Sequence, residues 1–87
     1  MVLVAHQPPY GTACDVVSTG RHVGSRSVRR FIEEHEPLIC FTGHIHEARG
    51  TDGVGPTRIV NPGPWHLGRY ARARLGDGVE ELELREI

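Results

Sequence analysis

Two histidines one residue apart, His44 and His46, are the first residues of this sequence whose spacing indicates chemistry. They follow an apolar run and Gly43 in the stretch FTGHIHEARG. Residues i and i+2 of an extended segment point to the same side, with side chains starting roughly 6–7 Å apart. Such a pair can hold one metal ion, or one each of two ions spaced about 3.5–4 Å apart. It can equally be two ordinary polar residues at a strand end.

A third histidine, His6, follows the apolar run VLVA of residues 2–5. That run predicts a strand buried on both faces, with His6 at its carboxyl end. The prolines of HQPPYGT, residues 6–12, prevent the strand from continuing. Because the carboxyl ends of parallel strands share one sheet edge, we expect His6 to meet His44 and His46 there. The alternative for His6 is a side chain that caps the loop after it.

A helix between the two strands is what predicts their parallel arrangement. Residues 25–37 repeat apolar side chains at helical spacing, forming one stripe of Val28, Phe31, Ile32 and His35. Ser25 or Ser27 can cap its start, and Pro37 stops it. The position of His35 on the stripe predicts a packed, hydrogen-bonded histidine. The apolar run LICFT, residues 38–42, predicts the next strand, and a strand–helix–strand order implies parallel neighbours.

The remainder of the chain is predicted to be antiparallel. The segment HEARGTDGVGP is rich in turn residues, and three later runs predict short strands, at residues 57–60, 69–75 and 79–87. The GDG between the last two indicates a hairpin, and the uneven alternation after it indicates a bulge. The expected fold class is therefore α/β, with one main helix and about five strands.

Carboxylates are scarce where a metal site would need them. A two-metal hydrolytic site requires a bridging oxygen ligand and further anionic ligands. The acidic residues outside the helix and the last strand are Asp15, Glu47, Asp52 and Asp77, and none follows a predicted strand beside the histidines. A self-sufficient alternative is a mononuclear zinc site made of His6, His44 and His46, with water in the open position.

The bulk composition narrows the function class. The 87 residues form at most one domain, and the net charge of −1 does not indicate a nucleic-acid polymer as partner. No run is long enough for a signal peptide or a membrane span, so we expect a cytoplasmic protein without membrane contact. Cys14 and Cys40 are expected to be small buried side chains. A strand buried on both faces with one covering helix implies that some covering element, from an oligomer or a larger domain, is missing.

Several stretches together resemble one known family. VAHQPPYGT, then GSRSVRRFIEEHEPLICFTGHIHEARG, then VNPGP are similar to the C-terminal half of the calcineurin-like metallophosphoesterases, over about residues 1–75. The resemblance implies half of a four-layer β-sandwich with a dinuclear centre of Mn, Fe or Zn. The activity it implies is hydrolysis of phosphate mono- or diesters. It also implies that His6 and His44 ligate the second metal and His46 the first.

The resemblance is incomplete in a specific way. The family takes its ligands from five sequence blocks, and this chain matches only the lone histidine and Gly-His-x-His. No counterpart exists for the Asp-x-His, Gly-Asp-x-x-Asp and Gly-Asn-His blocks. Residues 1–87 therefore look like a single partial domain. We expect it to be a fragment, a split-gene product or one chain of a two-chain enzyme, with little activity alone.

Other polar residues are weaker candidates for a functional role. Arg21, Arg49 and His22 are candidate phosphate contacts, with solvated surface side chains as the alternative. His66 is expected to be a surface loop residue. A non-catalytic half-domain that acts as a binding partner, and a homo-oligomer, also stay open.

Overall fold

The computed structural model describes residues 1–64 and 67–87. This part of the chain contains one α-helix and six strands, and the strands form two separate sheets. The prediction for His66 lies outside the described residues. In chain order the elements are β1 (Val2–Val4), α1 (Arg26–His35), β2 (Ile39–Phe41), a 3₁₀ turn (His46–Ala48), β3 (Gly50–Val54), β4 (Thr57–Asn61), β5 (Arg69–Leu75) and β6 (Val79–Glu86).

The first sheet has the order β1-β2-β4-β3, with β1, β2 and β4 mutually parallel and β3 antiparallel to β4. Val2 pairs with Ile39 and Val4 with Phe41, so the carboxyl ends of β1 and β2 are level. The predicted β-α-β crossover is confirmed. Its consequence for function is that the residues following β1 and β2 lie at one edge of the sheet.

Helix α1 begins and ends with the expected chemistry. The Ser25 hydroxyl accepts a hydrogen bond from the Val28 N–H at 3.1 Å, which caps the first turn. At the other end Glu36 takes a left-handed conformation, and its N–H donates to the Ile32 carbonyl at 2.9 Å. Pro37 follows, so the helix stops where the sequence predicts.

The apolar stripe of α1 is only partly buried. Ile32 is fully buried, whereas Phe31 is 37% exposed and the His35 ring lies on it, exposed, with the ring centroids 4.4 Å apart. The prediction that His35 is a packed, hydrogen-bonded histidine is therefore wrong, since its ring is exposed and lies against the partly exposed side chain of Phe31. The reason is positional, since this end of the stripe extends beyond the core instead of lying over it.

The core lies between α1 and the sheet. Its buried cluster consists of Cys14, Ile32, Cys40, Val54 and Ile59, with Leu3, Ala5 and Val28 packed against it. Both cysteines are free thiols, as the sequence predicts, and burial raises the pKa of each to about 11. Neither thiol is therefore a reactive nucleophile.

Strand β3 is an element that the sequence pattern did not predict, since it lies in the turn-rich segment 46–56. It contains Gly50 and Gly53, which have low strand propensity. Pairing along its whole length with β4, from Gly50 opposite Asn61 to Val54 opposite Thr57, imposes the extended conformation. The observed count is therefore six strands against about five expected.

Strand β1 is not buried on both faces within this chain. Its alternate residues Val2 and Val4 are 46% and 78% exposed, because nothing in the described chain covers that face of the sheet edge. Leu3 points the other way and packs against the core. The apolar sequence of β1 predicts more burial than these 87 residues provide. This agrees with the expectation that an element covering the strand is missing.

Strands β5 and β6 form their own two-stranded sheet, and the predicted bulge occurs between Arg74 and Leu75. The arginines of RYARAR face glutamates of β6, as in the Arg74 to Glu80 contact at 3.2 Å and the Arg69 to Glu86 contact at 3.9 Å. These pairs neutralise the basic stretch locally, although exposed pairs contribute little to stability.

No helix among the described residues is both long enough and apolar enough to cross a bilayer.

A core test follows from the burial of Ile59. We expect Ile59→Val, which removes one fully buried methylene, to lower the free energy of unfolding by about 0.5–1.5 kcal/mol. Val4→Ala, at an exposed position, should change it by less than about 0.5 kcal/mol. Urea unfolding followed by circular dichroism measures both. Equal effects for the two variants would contradict the placement of the core.

Candidate functional site

His6 and His44 lie against each other at the level ends of β1 and β2. The His6 Nε2 and His44 Nδ1 atoms are 2.9 Å apart, and the ring centroids are 4.6 Å apart. At this distance one ring nitrogen carries a proton and donates it to the other. The strand ends are joined by the Ala5 N–H, which donates to the Phe41 carbonyl at 2.9 Å. The two histidines therefore meet, as parallel strands require.

A strained turn directs the His44 ring toward His6. His44 has a backbone φ of 62°, a region that residues other than glycine rarely adopt. The Ile45 N–H donates to the Gly43 carbonyl at 2.6 Å, which makes His44 the centre of a γ-turn. Such a conformation costs on the order of 1–3 kcal/mol and persists where surrounding contacts hold it, commonly at functional sites.

The spacing of the two nitrogens suits a shared metal ion. Two histidine nitrogens about 2.1 Å from one ion, at right angles to each other, are roughly 3.0 Å apart. The observed 2.9 Å between His6 and His44 is close to this value. Imidazole nitrogens are ligands for Zn and Fe. The pair could supply two such ligands once the N–H that joins the rings has moved to another ring nitrogen.

His46 lies in a different local structure from the one that its spacing predicted. It begins the 3₁₀ turn His46–Ala48, so the segment from His44 is not extended. The prediction that the two histidines share one side of a strand is wrong, because β2 ends at Phe41 and the chain turns at His44. Within residues 1–64 and 67–87, no group of three or more His, Cys, Asp or Glu side chains is close enough to hold an ion.

The carboxylates near these histidines have structural partners. Glu47 accepts a hydrogen bond from the Ser18 N–H at 2.9 Å, and Asp52 accepts one from the Ala13 N–H at 2.7 Å. Asp77 lies exposed in the β5–β6 turn. This distribution agrees with the shortage of oxygen ligands that the sequence indicated. It also attaches the loop of residues 11–24, here called the Asp15 loop, to the segment that carries the histidines.

Asn61, at the end of β4, holds the Asp15 loop against the histidine turn. It is fully buried, and its amide nitrogen donates to the Ile45 carbonyl at 2.8 Å and the Cys14 carbonyl at 3.3 Å. Its oxygen accepts from the Gly63 N–H at 3.1 Å, the local turn bond that asparagine side chains commonly make. The two long-range bonds had no sequence signal, because they join residues far apart in the chain.

Asp15 is a buried carboxylate at the centre of its loop. One oxygen accepts from the Gly11 and Gly24 N–H groups at 2.9 and 3.0 Å. The other accepts from the Thr12 N–H at 3.1 Å and from His22 Nδ1 at 2.5 Å. Burial acts to raise the pKa of the Asp15 carboxyl, but these hydrogen bonds outweigh it and hold the pKa below its ordinary value. The sequence indicated His22 only as a phosphate contact or a surface residue, and it did not predict this pair, because closure of the loop is what brings the two residues together.

The close approach around Asp15 explains one glycine. A Cβ at Gly24 would lie 2.6 Å from the Pro8 carbonyl oxygen and 2.8 Å from the Asp15 side chain. Those contacts are impossible without displacing backbone. Gly24 is therefore required for the Asp15 loop to close onto residues 8–11.

The two candidate arginines are placed differently. Arg21 is exposed at the tip of the Asp15 loop, where its carbonyl accepts from the Val17 N–H. The Arg49 guanidinium donates to the Pro62 carbonyl at 2.8 Å and the Arg85 carbonyl at 3.2 Å, and so links the NPGP turn to β6. A phosphate contact by either arginine stays a prediction.

The parallel strands β1 and β2, joined by a βαβ crossover, place His6 and His44 at a common edge of the sheet. The family model described as metallophosphoesterase of the calcineurin superfamily matches residues 1–84. The chain belongs to this family. The resemblance read from the sequence motifs is thereby confirmed.

The individual relatives and solved structures that match this chain are longer than it is. An uncharacterized protein of Methanocaldococcus jannaschii is 48% identical over 66 residues, which cover 71% of this chain and 30% of the relative. A solved crystal structure at 30% identity matches 98% of this chain with a TM-score of 0.82, over 32% of its own chain. The crystal structure of TT1561 of Thermus thermophilus, at 21% identity, matches with a TM-score of 0.60 over 33% of its chain. The chain thus spans about a third of the length of these relatives.

A pH test follows from the low pKa of Asp15. Because this pKa is lower in the folded than in the unfolded chain, the ionised carboxyl stabilises the fold above the unfolded value of about 4. That contribution is lost as the pH falls through the folded value. We expect Asp15→Asn to lower the free energy of unfolding by about 1–3 kcal/mol near neutral pH, and by progressively less in acid.

Urea unfolding of wild type and variant across a pH series measures the difference. Asp77→Asn, at an exposed hairpin position, is the matched control and should show little effect at any pH. If the loss of unfolding free energy in Asp15→Asn stayed constant from neutral pH to pH values below about 3, this would contradict the low pKa of Asp15.

Proposed function

We propose that this chain is part of a metal-dependent phosphoesterase that hydrolyses phosphate mono- or diesters. The observation that carries the proposal is the His6–His44 pair, with its nitrogens 2.9 Å apart at the ends of two parallel strands. Membership of the metallophosphoesterase family supplies the reaction class. Neither observation identifies the ester, so the substrate is proposed only as a class.

In this proposal His6 and His44 hold one divalent ion, and His46 serves a second. Bound divalent ions would supply Lewis-acid activation of the phosphoryl group and of a water nucleophile. The chain's own contribution is orientation. The γ-turn at His44 directs one ring, and the Asn61 amide holds the Ile45 carbonyl beside it. Mn, Fe and Zn all suit mixed histidine and oxygen ligation.

The remaining ligands must come from polypeptide outside these 87 residues. The proposal is supported by the share of the relatives that the chain spans, about a third. It is also supported by two incomplete surfaces, the exposed Val2 and Val4 of β1 and the two-stranded β5–β6 sheet. Sheets of two strands are marginal in water alone. We infer that a segment carrying Asp and Asn ligands covers them, whether in a longer form of this chain or in a second chain.

The isolated chain should therefore be a poor enzyme. We expect little or no hydrolysis of bis-p-nitrophenyl phosphate with added Mn²⁺, since two histidines and no oxygen ligand hold an ion weakly. The complete unit, isolated through a tag on this chain, should hydrolyse the ester and lose activity by roughly a hundredfold on His44→Ala. His35→Ala is the matched control, because His35 lies on α1 against Phe31.

Three outcomes would contradict this proposal. Robust turnover by the purified 87-residue chain, abolished by His44→Ala, would overturn the proposal that other polypeptide completes the metal site. One tightly bound zinc per isolated chain would instead support the mononuclear three-histidine site. An inactive complete unit that binds no metal would support a non-catalytic binding partner.

A further inference from the structure

The Asp15–His22 pair has a geometry that the metal ligands do not account for. Asp15 is fully buried, whereas the His22 side chain is 39% exposed, and their contact at 2.5 Å is short for a nitrogen–oxygen hydrogen bond. A carboxylate accepts only, so Nδ1 of His22 carries a proton. The hydrogen bond that one ring nitrogen makes determines the role of the other. Nε2, at the far end of the ring from Asp15, is thereby left to act outward.

Asp15 and His22 hold each other in place. Three backbone N–H groups, from Gly11, Thr12 and Gly24, donate to Asp15. The imidazole is the fourth donor, and its hydrogen bond is the largest of those that lower the pKa of Asp15. The contact therefore fixes the orientation of the ring as well as compensating the buried carboxylate.

The ring lies in the loop system that surrounds the histidine pair. Tyr10, four residues after His6, has its ring centroid 5.9 Å from that of His22. The same loop that carries His22 is joined to the histidine segment through Ser18 and Glu47. It is joined a second time through Asn61, which bonds both Cys14 and Ile45. His22 therefore lies in a loop that is attached to the histidine segment at two points.

The surroundings of His22 favour an anion. The Arg26 guanidinium lies 4.2 Å from the Tyr10 ring centroid, on the residue that also neighbours His22. Arg26 begins α1, whose first turn contains no acidic residue, so the positive end of the helix dipole is not compensated there. The carboxylates attached to this loop, Asp15, Glu47 and Asp52, each accept backbone hydrogen bonds.

We propose that His22 is a phosphate-contacting side chain with Asp15 as its positioning residue, so that the unprotonated Nε2 accepts a hydrogen bond from the P–OH group of a phosphate monoester. This inference rests on the proposed function and extends it from the metal ligands to the substrate. The ligand class is a phosphate monoester that carries one proton, or the inorganic phosphate released from it, because a diester has no P–OH group to donate. Asp15 touches no ligand, and acts by holding Nδ1.

The test uses nitrogen-15 NMR of the histidine rings of the 87-residue chain. At about pH 8, where free imidazoles are neutral, we expect His22 to show a protonated Nδ1 and an unprotonated Nε2. At about pH 6, inorganic phosphate should shift the His22 ring signals in a saturable manner, and potassium chloride at equal ionic strength should not. His35, on α1 against Phe31, provides an internal comparison and should not respond to phosphate.

Variants separate positioning from folding. His22→Gln should remove the saturable response of the site, followed through the Gly24 and Arg26 amides. Asp15→Asn should weaken phosphate binding roughly tenfold and abolish the tautomer preference. His35→Gln is the matched control and should leave phosphate affinity unchanged. If Asp15→Asn unfolds the chain, the wild-type tautomer and phosphate measurements decide the matter without it.

Either of two results would overturn the proposal: a His22 ring with Nε2 protonated at about pH 8, or phosphate shifts at His22 no larger than those at His35. These outcomes are distinct from failure of the proposed function. Phosphate binding at His22 in a complete unit that hydrolyses no ester would leave the contact standing and remove the enzymatic role.

Discussion

One buried amide, Asn61, holds together the three segments on which the candidate site depends. It stands at the end of β4 and bonds the residue after His44, the start of the Asp15 loop and the glycine of the following turn. The Ile45 carbonyl also accepts from the Ala48 N–H, so Asn61 adds a second bond to the carbonyl beside the histidine turn. The position of the histidine turn is therefore defined by packing at the base of the site as well as by the strands.

Two different interactions hold the parts of the site that Asn61 connects. The parallel strands bring His6 and His44 to one edge, and Asp15 draws its own loop closed through four donors. The first arrangement depends on backbone pairing and the second on a single buried charge. The two are joined where Glu47 and Asp52 cap amides of the Asp15 loop. The candidate site thus combines two histidines placed by paired strands with a loop that is held mainly by the buried charge of Asp15.

Local and periodic signals predicted most of the fold. The Ser25 cap, the stop at Pro37, the βαβ crossover and the β5–β6 hairpin each follow from short-range chemistry, and all are found. Strand β3 was missed, since pairing with β4 overrides its glycines. The conformation of His46 was missed because the spacing argument assumed extended chain beyond Phe41. The Asp15–His22 contact depends on loop closure, which no periodicity encodes.

The hydrogen bond between His6 and His44 makes the pair a stable arrangement in its own right. With 2.9 Å between the nitrogens, one N–H lies between the two rings, and each ring can carry its proton on its other nitrogen instead. The hydrogen bond therefore fixes the direction in which both rings face while leaving open which of them donates. An exchange of donor and acceptor roles between His6 and His44 needs only a change of tautomer and no movement of the backbone.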